Sequence, residues 1–188
     1  MEKIKTIFDR NWETNRKVNP TLVVDFDFEN AIATEKLDGT NIRITVRKGT
    51  IVRVEKRRNP SKVQKQKGIV DPWYVDADAF STEDKWIFDA VKNTDFSTVP
   101  DGEWSAEAIG KNIQGNPLNL ENNRVFIFSL PEWREKIILT NVPLTFEGLK
   151  TWLPKQKSVL NGQTGIEGIV WHHPNGTKVK IKTKDFSF

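Results

Sequence analysis

The stretch 41–56, NIRITVRKGTIVRVEK, decides the fold class of this chain. Its first half alternates between apolar and polar residues, and a period of two is typical of a half-buried β-strand. Lys48-Gly49 then predicts a tight turn into a second strand, which runs from Thr50 to Lys56. A local hairpin of this kind favours an antiparallel sheet. The apolar residues of the first strand are Ile42, Ile44 and Val46.

The rest of the chain adds more strands than helices. The segment 56–81 contains Pro60, Gly68 and Pro72, and we expect it to be rich in loops. With 37% hydrophobic residues, the 188 residues can form one compact core, and we expect a single domain over 1–188. This mixture predicts an α+β fold of antiparallel β-sheets with flanking helices. Further strands are predicted at 103–108, 124–130, 166–172 and 177–183, and helices at 81–93 and 145–153.

The composition excludes several kinds of site. Cysteine is absent, which excludes a disulfide framework, a thiolate zinc site and a cysteine nucleophile. The only histidines are the adjacent His172 and His173. Any metal is therefore expected to be Mg²⁺ or Mn²⁺, held by carboxylates, water or a bound substrate. No stretch is long and apolar enough to span a bilayer, and together with the lack of cysteine this favours the cytoplasm.

Positive charge is concentrated in two segments of a chain whose net charge is +4. Residues 36–67 contain eleven lysines or arginines and only two acids, Asp38 and Glu55. Near the C-terminus, strand alternation places three lysines on one face, which makes a poor core face and a good polyphosphate-binding face. Two ordinary solvated surfaces are the alternative interpretation. The C-terminal basic residues are Lys178, Lys180, Lys182 and Lys184, of which the first three share the face.

The stretch 35–41, EKLDGTN, places a lysine at the end of a predicted strand and an Asp-Gly pair soon after it. Lys36 could act as a nucleophile in its neutral form, and Asp38 and Asn41 supply an acceptor and an amide nearby. Gly39 leaves space in which a large ligand could approach the backbone. The same pattern also fits a solvated lysine followed by a simple turn between two strands.

Six short motifs, taken in order, resemble those of the covalent nucleotidyltransferase superfamily, which contains ATP-dependent ligases and capping enzymes. The resemblance covers about 34–185. RNA ligases of the RNA ligase 2 type are the most similar group, because of Asn41 and of AEAIGKNIQGN at 106–116. The motifs are KLDGTN (36–41), KRR (56–58), a glutamate within DGEWSAEAIG (101–110), RVFIFSL (124–130), EGIVW (167–171) and VKIK (179–182).

The resemblance implies which residues carry the reaction. Lys36 would be the nucleophile that attacks the α-phosphate of ATP and becomes lysyl-AMP. Lys180 and Lys182 would contact the same phosphate and orient the leaving pyrophosphate. Glu167 would bind nucleotide and hold the catalytic metal, Mg²⁺ or Mn²⁺.

The resemblance also implies a set of nucleotide-binding residues. Glu107 would accept hydrogen bonds from the ribose, with Glu103 as the alternative register. Arg57 would bind phosphate or the terminal nucleotide, with Arg58 as its alternative. Phe128 would stack on adenine, unless it is a core aromatic residue of its strand. The remaining residues assigned to the nucleotide site are Glu35, Asp38, Gly39 and Asn41.

The implied fold is an ATP-grasp-like nucleotidyltransferase domain, and the implied activity is ATP-dependent RNA ligation. AMP would pass from the lysine to a 5′-phosphate end, and a 3′-OH would then displace it. RNA ends, including those of nicked duplexes, would be the substrates. Because the chain stops soon after the last motif, we expect no C-terminal OB-fold or helical accessory domain, and a partner protein could supply a nucleic-acid-binding module. We expect a monomer that acts in the cytoplasm of its own cell or of a cell infected by a phage that encodes it.

Two alternatives remain open at this stage. The first is a DNA ligase or capping-type nucleotidyltransferase domain. The second is a non-catalytic nucleic-acid-binding module with a relict nucleotide pocket, for which the basic hairpin alone would suffice. For the ligase, we expect the basic residues of the hairpin to form the main polynucleotide surface, together with the lysines of the following loop. The hairpin arginines are Arg43, Arg47, Arg53, Arg57 and Arg58.

Overall fold

The computed structural model describes residues 3–188, which form two compact units. Unit 1 contains Asp38–Arg134, and unit 2 contains Ile4–Leu37 and Glu135–Phe188. The single adenylyltransferase domain expected over 1–188 stays a prediction. Among residues 3–188, no helix has both the length and the apolar character that crossing a membrane requires.

Strands outnumber helices in both units, which agrees with the α+β class. The strands are β1 (Lys5–Thr6), β2 (Phe8–Arg10), β3 (Val18–Leu22), β4 (Ile32–Glu35), β5 (Thr40–Arg47), β6 (Thr50–Arg58), β7 (Trp73–Asp76), β8 (Gly102–Ile109), β9 (Arg124–Phe126), β10 (Gly168–His172) and β11 (Lys178–Lys182). The α-helices are α1 (Lys62–Gln66), α2 (Lys85–Lys92), α3 (Pro131–Arg134) and α4 (Phe146–Trp152). Short 3-10 helices cover Glu135–Ile137, Leu153–Lys155 and Thr183–Asp185.

The predicted hairpin is the centre of the unit 1 sheet. The strand order is β7-β6-β5-β8-β9, and every neighbouring pair is antiparallel. Lys48 and Gly49 have φ angles of 50° and 69°. Positive φ at both positions is what a two-residue hairpin turn with the natural strand twist requires. The predicted hairpin and its turn are confirmed.

One face of this sheet forms the hydrophobic core of unit 1. Ile42, Ile44 and Val46 of β5 are completely buried, as their alternation predicted. Helix α2 covers them with Ile87 and Ala90, which are also buried. The polar side chains of β5 therefore lie on the opposite face of the sheet.

Helix α2 begins later than the sequence suggested. A start at Ser81 was predicted, but the helix begins at Lys85. The side chain of Asp84 accepts a hydrogen bond from the backbone N–H of Asp78 at 2.9 Å and pairs with Lys56 Nζ at 2.6 Å. These contacts hold the preceding residues in a turn, so the prediction was wrong by one helical turn.

Two other segments of unit 1 differ from expectation. The strand predicted over 124–130 ends at Phe126, because Ile127–Leu130 closes a turn in which the N–H of Leu130 donates to the carbonyl of Ile127 at 3.1 Å. The segment 56–81 is more ordered than the predicted loop. Strand β6 continues to Arg58, α1 follows, and β7 pairs with the end of β6.

Unit 2 is built on a four-stranded sheet of order β1-β11-β10-β4. Strands β10 and β11 form the predicted hairpin, with Gly176 in the turn at a φ of 89°. β4 is antiparallel to β10, and the short β1 is parallel to β11. The predicted helix at 145–153 is confirmed as α4, whose first turn is capped by the Thr145 hydroxyl accepting from the N–H of Gly148.

The core of unit 2 sits between its sheet and α4. Ile169 and Trp171 of β10 and Ile181 of β11 are buried there with Leu149 of α4. Since Val179 and Ile181 point into this core, the lysines between and beside them point to the opposite face of β11. The end of β4 and the start of β10 meet beside this lysine face, where the register pairs Glu35 with Ile169.

Candidate active site

Lys36 follows the last residue of β4 and stays attached to the sheet. Its backbone N–H donates to the carbonyl of Gly168 at 2.9 Å, so the strand direction continues past Glu35. The Lys36 side chain is 21% exposed, and its Nζ lies 2.6 Å from Glu167 Oε2. The predicted nucleophile is thus held by a carboxylate and is not a freely solvated surface lysine.

Glu167 binds a second lysine through its other oxygen. Oε1 lies 2.5 Å from Lys182 Nζ, and the carboxylate is only 11% exposed. Burial by itself raises the pKa of Glu167, but the ammonium groups of Lys36 and Lys182 outweigh this and keep the pKa below its ordinary value. Glu167 is therefore ionised at neutral pH.

A glycine is required where these two strands meet. A Cβ atom on Gly168 would lie 2.1 Å from the carbonyl oxygen of Ile181 and 2.7 Å from the Cα of Lys182. No side chain fits at such distances. Gly168 thereby lets β10 approach β11 closely enough for the neighbouring Glu167 to reach Lys182.

Lys180 is the third cation of this group. Burial lowers the pKa of Lys180 to about 8, and the nearby charges of Lys182 and Lys36 act in the same direction. The predicted polyphosphate-binding face thus contains a lysine that titrates within the ordinary working range of pH. We call Lys36, Glu167, Lys180 and Lys182 the lysine cluster of unit 2.

Glu35 has a buried carboxyl group that contacts a neighbouring loop. It is 2% exposed, and Oε2 accepts a hydrogen bond from the N–H of Val159 at 2.7 Å. Burial raises the pKa of Glu35, although the hydrogen bonds from Ser158 and Val159 oppose the shift. The side chain ties β4 to residues 158–159, and its assignment to nucleotide binding stays a prediction.

The predicted site residues of unit 1 form a separate group on the polar face of the sheet. Asn41 of β5 lies opposite Glu107 of β8, and Asn41 Nδ2 is 3.4 Å from Glu107 Oε2. The alternative glutamate, Glu103, is 52% exposed and lies 3.7 Å from Arg43 Nη1. Contact with another motif residue favours Glu107 for the predicted ribose-binding role.

Gly39 is required by the packing of its own sheet, and its assignment to the nucleotide site stays a prediction. A Cβ atom there would lie 2.2 Å from the carbonyl oxygen of Ala108. The close neighbour is therefore strand β8, and the glycine allows the chain to enter β5 beside it. Asp38, which precedes it, is half-buried.

Arg57 and Phe128 are placed differently by the structure. Arg57 is exposed near the end of β6 and is paired in register with Tyr74 of β7. Arg58, its alternative, is exposed as well. Phe128 is half-buried in the turn after β9 and is not part of a strand, so the alternating-core interpretation of this residue was wrong.

Two arginines of the basic hairpin form ion pairs with carboxylates. Arg43 makes two hydrogen bonds to the buried Glu55, at 2.6 and 2.8 Å. Arg53 pairs with Asp76 at 2.7 Å and with Glu55 at 3.3 Å. These two arginines pair with carboxylates, and their assignment to the nucleic-acid surface stays a prediction.

Sequence reasoning missed two members of this sheet face. Glu55 lies at the centre of the arginine pairs, and it was visible as the one acid within a basic hairpin. Tyr74 donates a hydrogen bond from its hydroxyl to Asn41 Oδ1 at 2.9 Å. It is the only tyrosine in the chain, but its segment was expected to be a loop.

Comparison with known proteins gives a match to one family over part of the chain. Residues 102–187 match the model of the RNA ligase 1 family. The matched part includes Glu107, Glu167, Lys180 and Lys182, whereas Lys36 lies before it. No curated protein matches the chain significantly.

Solved structures of an RNA ligase from Naegleria gruberi share the fold. A lysine-to-alanine mutant with ATP and Mn is 17% identical, with a TM-score of 0.51, over 83% of this chain and 51% of that one. A glutamate-to-alanine mutant with ATP and Mn is also 17% identical, with a TM-score of 0.51, over 81% and 49%. Another lysine mutant, with ATP and Mn, is 16% identical, with a TM-score of 0.51, over 98% and 62%.

The chain spans about half the length of the first of these structures. At this identity the likeness shows the fold alone, and it agrees with the predicted α+β class of antiparallel sheets with flanking helices. The narrower RNA ligase 2 type stays a prediction. The match of residues 102–187 to the RNA ligase 1 family agrees with the resemblance to RNA ligases that the motifs indicated.

Proposed function

We propose that this chain is an ATP-dependent RNA ligase that forms lysyl-AMP on Lys36. The observation that carries the proposal is the lysine cluster of unit 2. It places Lys36 2.6 Å from an ionised carboxylate, and that carboxylate lies 2.5 Å from Lys182. A half-buried lysine beside other cations is suited to anionic phosphate chemistry.

The first step would join Lys36 to the α-phosphorus of ATP. Lys36 must first release its extra proton to solvent, because only the neutral amine is nucleophilic. A bond then forms between Nζ and the α-phosphorus, and the bond from phosphorus to the bridging oxygen breaks. Pyrophosphate leaves with that electron pair. Lys180 and Lys182 supply positive charge for the transferring phosphoryl group.

The next steps would move AMP and seal the strand. The oxygen of an RNA 5′-phosphate attacks the phosphorus of lysyl-AMP, and Lys36 regains a proton as the nitrogen–phosphorus bond breaks. A 3′-OH then attacks the activated 5′-phosphate, loses its proton, and releases AMP. Splitting one condensation into these transfers replaces a difficult step by easier ones. The relatives solved with ATP and Mn support the choice of ATP as the donor.

Glu167 is the carboxylate best suited to a divalent metal. Among residues 3–188, no group of three or more His, Cys, Asp or Glu side chains could hold a metal ion by itself. One carboxylate completed by water and ATP phosphates is the ligand set that Mg²⁺ commonly uses, and Mn²⁺ accepts the same oxygen ligands. The ion would supply neutralisation of charge on the phosphates. Each Glu167 oxygen accepts one lysine and keeps a further lone pair, through which the carboxylate could bind the metal.

Covalent labelling tests this function. The protein is incubated with Mg²⁺ or Mn²⁺ and ATP labelled at the α-phosphate, and the adduct is measured on a denaturing gel. We expect labelling by ATP, and we expect none by GTP or NAD⁺. Lys36→Ala should abolish it, whereas Lys155→Ala, which removes an exposed lysine of the same unit, should leave it unchanged.

Two outcomes would contradict the proposal. Preferential labelling by GTP would indicate capping chemistry. Labelling that persists in Lys36→Ala would show that another residue is the nucleophile. Joining of RNA that carries a 5′-phosphate and a 3′-OH, assayed with the same variants, then tests the later steps.

A further inference from the structure

Tyr74 reaches across a strand to contact a residue of the candidate site. It lies on β7, whose neighbour is β6, whereas Asn41 lies on β5. The Tyr74 hydroxyl donates to Asn41 Oδ1 at 2.9 Å and is 3.5 Å from Ser105 Oγ. Tyr74 and Arg57 are register partners, so the tyrosine spans the strand that carries the predicted phosphate-binding arginine.

This hydrogen bond fixes the orientation of the Asn41 amide. An asparagine side chain has one oxygen that accepts and one NH₂ group that donates. With its oxygen occupied by Tyr74, the amide directs Nδ2 towards Glu107 Oε2 and the carbonyl of Ala106, each at 3.4 Å. The opposite orientation would remove the acceptor of the Tyr74 hydroxyl and place the amide oxygen against two other acceptors, Glu107 Oε2 and the Ala106 carbonyl. Tyr74 thus selects the orientation in which Asn41 faces Glu107 as a donor.

The tyrosine ring is itself held in place. The guanidinium of Arg43 lies over the ring, 4.7 Å from its centroid. Arg43 makes two hydrogen bonds to Glu55, which is 1% exposed. Two hydrogen bonds hold the guanidinium in place, and its cation–π contact with the ring restricts where the Tyr74 hydroxyl can point. Each residue thus contacts the next in a chain that runs from Glu55 through Arg43, Tyr74 and Asn41 to Glu107.

We propose that Tyr74 is a positioning residue that sets ribose recognition by orienting Asn41 against Glu107. The inference rests on the proposed function and on the ribose-binding role that the resemblance implies for Glu107. A contact made equally in the ground state and the transition state changes KM and leaves kcat unaltered. The role of Tyr74 should therefore appear in the affinity for nucleotides that carry ribose hydroxyls.

Tyr74→Phe is the direct test, because it removes the hydroxyl and retains the ring beneath Arg43. Lysyl-AMP formation is measured with ATP and with 2′,3′-dideoxy-ATP, which lacks both ribose hydroxyls. We expect Tyr74→Phe to raise KM for ATP by about tenfold, the usual scale for a lost hydrogen bond in a charged network, with kcat unchanged. KM for the dideoxy nucleotide should stay the same, so the preference for ATP shrinks.

A double-mutant cycle separates positioning from general damage. If Tyr74 acts through Glu107, then Tyr74→Phe should have no further effect on KM in a Glu107→Gln background. Ser105→Ala removes only the longer contact of the hydroxyl and should behave like the wild type. If Tyr74→Phe does not fold, as judged by circular dichroism, Asn41→Leu replaces it in the same cycle with Glu107→Gln and should show the same loss of preference for ATP.

The outcomes distinguish this inference from the proposed function. An adduct in the wild type, together with equal KM values and equal preference for ATP in Tyr74→Phe, would overturn the inference alone. A uniform loss for both nucleotides, or additive effects in the cycle, would overturn it too, because the role would then be structural. Absence of an adduct in the wild type would overturn the proposed function and the inference together.

Discussion

Lys36 and Glu167 are 131 residues apart in the sequence, yet Lys36 Nζ and Glu167 Oε2 lie 2.6 Å apart in unit 2. The same carboxylate also binds Lys182, so one acid neutralises two lysines while Lys180 adds a third positive charge nearby. Charge balance in the cluster therefore depends far more on Glu167 than on any single lysine.

Glu167→Gln should destabilise the fold more than Lys36→Ala does. It leaves Lys36 and Lys182 without their shared counterion, whereas Lys36→Ala leaves the Glu167–Lys182 pair intact. Losing one partner of a fully buried pair costs about 3–5 kcal/mol, and partial exposure here reduces our expectation to roughly 1–3 kcal/mol. For Lys36→Ala we expect less than about 1 kcal/mol. Chemical denaturation measures both values, and equal losses would refute this assignment of charge balance.

Lys180 should make ATP use sensitive to alkaline pH. Burial, together with Lys182 and Lys36, lowers its pKa to about 8, so its positive charge is present below that pH and is lost above it. Because kcat/KM reports the ionisation of the free protein, the ratio of wild type to Lys180→Arg should fall as pH rises through 8. Arginine stays charged throughout this range. Parallel pH profiles for the two proteins would argue against a phosphate-binding role for Lys180.

Glu55 should make unit 1 sensitive to acid. Its hydrogen bonds to Arg43 hold the pKa of this carboxyl below the ordinary value of 4.5, against the opposing effect of burial. A carboxylate with a lowered folded-state pKa stabilises the fold above its unfolded-state pKa, and this contribution is lost as pH falls through the folded value. Glu55→Gln should cost roughly 1–2 kcal/mol at pH 7 and flatten the acid dependence. Urea denaturation between about pH 3 and 7 measures this effect.

Asp76→Asn is the matched control for that experiment. Asp76 also pairs with an arginine, Arg53, but its side chain is 70% exposed. Exposed ion pairs contribute little to stability because water and salt screen them. A loss in Asp76→Asn as large as the loss in Glu55→Gln would show that burial of Glu55 is not the cause.

Polynucleotide binding should depend more on the lysines in and just after α1 than on Arg43 and Arg53, which are paired with carboxylates. Lys62, Lys65 and Lys67 are exposed, and neutralising all three should reduce the dependence of RNA affinity on salt by about two units of log–log slope. Arg53→Ala should change this salt dependence little, since Asp76 and Glu55 already pair with that charge.

Strand joining by the wild type should fall by about ten- to a thousandfold between roughly 50 and 200 mM salt while lysyl-AMP formation persists. Equal salt sensitivity of the two steps would contradict an electrostatic RNA surface.

The parts of the fold that sequence predicted well are those with local causes. Alternation fixed which residues of β5 are buried, and Lys48-Gly49 can adopt the positive φ angles that the turn needs. The lysine face of β11 followed from the same period of two. In each case the deciding residues are neighbours in the chain.

The parts that sequence did not predict depend on contacts between distant segments. Asp84 is drawn into contacts with Lys56 and Asp78, which delays the start of α2. Glu35 finds its partner at Val159, 124 residues away. Tyr74 contacts Asn41 across an intervening strand, which no local pattern encodes.

The central claim is that Lys36 carries the covalent AMP, and peptide mapping by mass spectrometry tests it most directly. The protein is incubated with ATP and a divalent metal, digested, and searched for a peptide that carries one AMP group. We expect the group to be attached to Lys36 Nζ. Attachment to Lys180 or Lys182, or the absence of any AMP-bearing peptide under conditions that saturate the protein with ATP, would contradict it.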